Sequence, residues 1–168
     1  RSADKSFEEG VKIASDIGYK YVEPMVHTGW ELLSEVGYFH SFSMEEDPLL
    51  MKEICDKYGI KVSSLSGHSP LMKPEASVSR LTKAINYADV LNAPFVNTDE
   101  MLKPDWMDDE FAHQTMHYTL TKAEMVARRH KVYVCIEPHG VYTRTSAGLM
   151  RIVRLVESPW IGVNWDTG

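Results

Sequence analysis

Cysteine is scarce in this chain. Cys55 and Cys135 are the only two in 168 residues, and they lie far apart in sequence. That rules out a disulfide framework and points to reduced, semi-buried thiols in a cytoplasmic protein. No run of apolar residues approaches the length needed to span a membrane. Lysine and arginine form no cluster and the net charge is −6, which argues against a nucleic-acid surface. No G-x-G-x-x-G turn is present to support a dinucleotide-binding open sheet. No signal-like start is visible, and the first residue is Arg1 rather than Met, so the true N-terminus is expected to lie upstream.

What is present has the composition of a soluble globular domain, 43% hydrophobic and 25% charged. We read residues 1–168 as one domain. Strand and helix patterns alternate along it. Ser6-Phe7-Glu8-Glu9 is a capping box opening a helix that Gly18 ends. Tyr19–Pro24 reads as a strand. A long aromatic loop follows, from Met25 to about Met44, with Trp30, Tyr38, Phe39 and Phe42. Loops of that length tend to be functional. Helices are expected at Asp47–Tyr58 (Leu50 and Ile54 inward), Glu75–Leu91, Asp108–His130 and about Ser146–Glu157. Strands are expected at Ile60–Gly67, Pro94–Asn97, Val132–Glu137 and Trp160–Asp166. Five strands and five helices in this rhythm fit part of a (βα)8 barrel.

The last two strands carry the chemistry. Alternation puts Val132, Val134 and Ile136 on one face and Tyr133, Cys135 and Glu137 on the other. It likewise groups Ile161, Val163 and Trp165 against Gly162, Asn164 and Asp166. Each strand thus has an apolar face suited to covering helices and a mixed face ending in an acid. A buried acid is costly unless paired or bound to a metal. Two acids at the carboxyl ends of successive parallel strands lie where an α/β barrel keeps its active site. His139 follows Glu137 by two residues and could point into the same mouth or out to solvent. His68 follows the third strand with an ambiguous face. Glu23 and Asn97 are inward polar residues at strand ends, suited to scaffold or substrate contacts, and Trp30 could wall a ligand site. His113 and His117 have the spacing of a zinc helix, but Gln114 replaces its glutamate, so a solvated face is expected.

Ile136-Glu137-Pro138-His139-Gly140 and Gly162-Val163-Asn164-Trp165-Asp166-Thr167-Gly168 resemble the fifth- and sixth-strand motifs of the xylose-isomerase-like TIM barrels. Tyr21-Val22-Glu23 and Ser66-Gly67-His68-Ser69 resemble the second and third strand ends. The resemblance implies an incomplete portion of the barrel, about strands 2 to 6. It implies a divalent metal held by Glu, Asp, His and Glu, of which Glu137 and Asp166 match the first two. The other two have no counterpart here. Mn2+ is the expected cation, with Mg2+, Co2+ or Zn2+ compatible. The implied function is a metal-dependent sugar or sugar-phosphate isomerase or epimerase, with Glu137 as ligand and base and His139 as a second catalytic candidate. The alternative is a lyase on the same scaffold, of the dehydratase or C-glycoside deglycosidase type. Expected partners are a carbohydrate substrate and either further copies of the chain or, for a C-glycoside deglycosidase, a small β-sandwich subunit. Neither nucleic acid nor membrane is expected.

Overall fold

The computed structural model describes residues 6–28 and 42–166. The elements are, in order, α1 (Phe7–Asp16), β1 (Tyr21–Val22), β2 (Val26–His27), β3 (Phe42–Ser43), α2 (Pro48–Lys57), β4 (Lys61–Val62), β5 (Leu65–Ser66), α3 (Pro74–Val90), β6 (Phe95–Thr98), α4 (Asp109–His130), β7 (Tyr133–Ile136), α5 (Ser146–Val153) and β8 (Ile161–Val163). Every strand pairing is parallel. The main sheet runs β5-β6-β7-β8, β1 pairs with β4, β2 pairs with β3, and a bridge from Met25, just before β2, reaches Ser66 of β5. This is the partial barrel anticipated from the alternation.

The helix starts follow the local chemistry. Ser6 caps α1 with the reciprocal Glu9 contact of a capping box, and Asp47 accepts from Leu49 N at 2.9 Å ahead of Pro48. Asp108 caps α4 by accepting from Phe111 N at 2.8 Å. Helices α1 and α2 are followed by Gly18 and Gly59, both at positive φ, which costs glycine little. Helix α5 ends at Val153, earlier than the apolar pattern suggested. In α2 the buried residues are Met51 and Cys55, while Leu50 is exposed. The stripe is rotated by one residue from the expected one, because packing buries Met51 and Cys55 and leaves Ile54 half-buried at its edge.

The register fixes which residues face inward. Leu65, Val96, Val134 and Ile161 lie side by side and are all buried, beneath the helices. Ser66, Asn97, Cys135 and Gly162 form the next row, on the opposite face. Helix α3 packs on α4, and Leu81, Ala84, Ile85 and Ala88 meet the same core as Met116, Leu120 and Ala123. At β8 only Ile161 of the expected apolar face is covered; Trp165 is 83% exposed. Among the described residues no helix is long and apolar enough to cross a membrane.

Candidate metal and proton-transfer site

Continuing each strand by two residues from the inward row brings the polar groups together. Ser66 leads to His68, Asn97 to Asp99, Cys135 to Glu137, and Gly162 to Asn164 and Asp166. All lie at the carboxyl ends of parallel strands, so their side chains meet at one mouth.

Glu137 is buried, with Oε2 accepting from Asn164 Nδ2 at 2.8 Å and Oε1 3.0 Å from His139 Nε2. His139 turns its other nitrogen to Asp99, with Nδ1 3.2 Å from Asp99 Oδ2. The imidazole therefore stands between two carboxylates. His68 Nδ1 is 3.4 Å from the same Asp99 oxygen, and the two rings are 5.3 Å apart. Burial disfavours the charged form of His68. The nearby Asp99 carboxylate, with the charges of Glu137 and Glu23, outweighs that and leaves its pKa raised. Glu137, His139 and Asp166 offer ligand atoms that all lie within 4.8 Å of one another. Two converging carboxylates suit a hard or borderline divalent cation, so Glu137 and Asp166 fit the metal that the strand-end motifs imply.

Below the mouth, Glu23 Oε2 accepts from Asn97 Nδ2 at 2.9 Å and also from Ser64 Oγ. This carboxylate is tied to the strands around it, a floor for the site. Trp30 lies outside the described residues. Cys135 is also on the inward row, and burial pushes its thiol up to about 11.

Asp99 was not singled out in the sequence. Its signal was there, since Asn97 and Asp99 share strand parity, but the strand expected over Pro94–Asn97 stops two residues short of it. His113 corrects the solvated-face expectation. It is buried, with Nδ1 2.6 Å from Asp109 O and its ring 4.7 Å from that of Tyr142, while His117 is exposed. Tyr142 on the loop after β7 shields that side of α4.

The profile of the xylose isomerase-like TIM barrel matches residues 11–168. Among solved structures, a xylose isomerase-like TIM barrel protein from Mycobacterium smegmatis, in complex with magnesium, is 13% identical with a TM-score of 0.70. It covers 96% of this chain and 56% of its own. The IolI protein with a bound zinc atom is 15% identical (TM-score 0.68), covering 96% and 58%. D-allulose 3-epimerase from Methylomonas sp. is 14% identical (TM-score 0.68), covering 92% and 55%. The chain thus spans little more than half the length of these structures. Among curated proteins, none matches the sequence.

Proposed function

As the chain belongs to the xylose isomerase-like TIM-barrel family, we propose that it forms part of a divalent-metal-dependent isomerase or epimerase acting on a sugar or sugar phosphate. The observation that carries this reading is the convergence of Glu137 and Asp166, from successive strands, with His139 between their loops. Glu137 and Asp166 would hold the cation, Mn2+ in our reading, which supplies Lewis-acid polarisation of a hydroxy-carbonyl substrate. Glu137 has the second task of taking a proton from the carbon beside the carbonyl and returning it. Asn164 donates to Glu137 Oε2 and so fixes the carboxylate plane. Asn97 and Glu23 form a polar floor able to meet sugar hydroxyls.

The placement of His139 favours a second reading, a lyase of the dehydratase or C-glycoside deglycosidase type. An imidazole 3.0 Å from Glu137 can receive a proton from a leaving or reacting hydroxyl near neutrality. A small β-sandwich subunit would be the partner in the deglycosidase case.

The experiment is solvent exchange. The intact protein is stripped with chelator, reloaded with Mn2+, Mg2+, Co2+ or Zn2+, and given ketoses in deuterated water. Metal-dependent deuterium uptake at the carbon next to the carbonyl supports the isomerase reading. Ketoses that stay unlabelled with every metal would sink it.

A further inference from the structure

Asp99 is buried, with only 6% of its surface exposed. Its Oδ2 lies between two imidazole nitrogens, His139 Nδ1 at 3.2 Å and His68 Nδ1 at 3.4 Å. Among the described residues, its other oxygen, Oδ1, and His68 Nδ1 are sealed from solvent and make no hydrogen bond. Buried polar atoms without a hydrogen bond are costly, so a ligand that satisfied them would be stabilising. The ligand atoms of His68, Asp99 and His139 all lie within 4.8 Å of one another.

We propose that His68, Asp99 and His139 form a second cation site, separate from the Glu137–Asp166 pair, for a borderline divalent ion such as Zn2+. The donor set decides the ion class. Two imidazoles and one carboxylate is the ligand type of open zinc sites and of ferrous facial triads. The Glu137–Asp166 pair is richer in oxygen and suits a harder ion.

One ring can serve both sides without an extra proton. In the neutral tautomer with hydrogen on Nε2, His139 donates to Glu137 through Nε2 and gives its Nδ1 lone pair to the ion beside Asp99. A ligating histidine commonly donates its second N–H to a carboxylate, which fixes its tautomer and orientation. His139 would then couple the two sites mechanically. This inference stands on the three side chains alone; it is compatible with the isomerase reading and not with His139 as a lyase's proton carrier, because both ring nitrogens are then engaged.

The test counts ions. Intact protein is stripped with chelator, equilibrated with Zn2+ at a fixed free concentration, and analysed for zinc per chain. Asp99→Asn and His68→Ala should each bind one ion fewer than wild type. Asp166→Asn should keep the ion that those variants lose. With Co2+ in place of zinc, the visible absorption of the histidine-ligated ion should vanish in Asp99→Asn and persist in Asp166→Asn. Circular dichroism checks folding, and if Asp99→Asn does not fold, His68→Ala decides. Zinc stoichiometry unchanged in the folded Asp99 and His68 variants would overturn the second site. Unchanged binding in Asp166→Asn alone would count against the Glu137–Asp166 site instead.

Discussion

A Cβ placed on Gly140 would collide with the side chain of Glu100. No side chain fits there. Glu100 is fully buried, and its Oε1 accepts from Tyr142 N at 2.5 Å and Thr143 N at 3.1 Å. Gly140 N in turn donates to Thr143 Oγ1 at 2.9 Å. The loop after β7, which carries His139, is thus clamped to the loop after β6, which carries Asp99.

Gly140→Ala should therefore be costly although glycine to alanine is often mild. The added methyl group must push Glu100 away or lift the loop. Overpacking of this kind costs about 1–3 kcal/mol. Urea denaturation should show a lower midpoint with an unchanged slope. A midpoint equal to that of wild type would mean the clamp yields freely.

Glu100 itself carries a pH signature. Burial raises its carboxyl pKa, against the opposing hydrogen bonds from the Thr143 and Tyr142 amides, and the Asp99 charge adds to the rise. A carboxyl that binds its proton more tightly when folded stabilises the protein at low pH, and that contribution is lost as pH rises through the folded pKa. The window runs upward from the ordinary carboxylate value. Glu100→Gln keeps an acceptor for the two amides and removes the charge. Its stability should decline less with rising pH than that of wild type across that window. Parallel stability–pH curves for the two proteins would refute the assignment.

The fold was largely legible because its signals are local. The capping residues Ser6, Asp47 and Asp108 mark helix starts, and alternation sorts Val134 from Cys135 without any tertiary information. The phase of α2 was misread because Leu50 and Met51 are equally apolar, and only packing chooses between them. The candidate site was half legible. Glu137 and Asp166 stand in motifs, but Asp99 acts through residues about 30 and 40 positions away in sequence, and no spacing rule joins His68, Asp99 and His139. The burial of His113 depends on Tyr142 folding over it, again a contact between distant segments.

The thiols give a third test. Cys55 and Cys135 are both free and buried, and burial pushes each up to about 11. The thiolate is the reactive form, so both should resist a disulfide reagent in the native protein at neutral pH. Both should react quickly in denaturant. Fast native labelling of Cys135 would show that the inward row below Glu137 opens to solvent.

His139 separates the two readings of the site. An isomerase in this scaffold can return the proton through carboxylate chemistry at Glu137 and needs no imidazole beside it. A lyase must also pass a proton to or from a hydroxyl or phenol, and His139 Nε2, 3.0 Å from Glu137 Oε1, is placed to do so. For a lyase, His139→Ala should slow turnover by about 10²–10⁴, the usual range for a positioned acid or base. For an isomerase the loss should be small once metal content is matched between the two proteins. Matching matters because His139 belongs to both clusters of possible ligands. The assay compares wild type and variant on simple ketoses and on aromatic C-glycosides, with ions per chain measured in each sample. Turnover of ketoses alone, unchanged in the variant at equal metal content, leaves no role for a lyase. Turnover of the C-glycosides that collapses in the variant assigns the proton transfer to His139 and sets the isomerase reading aside.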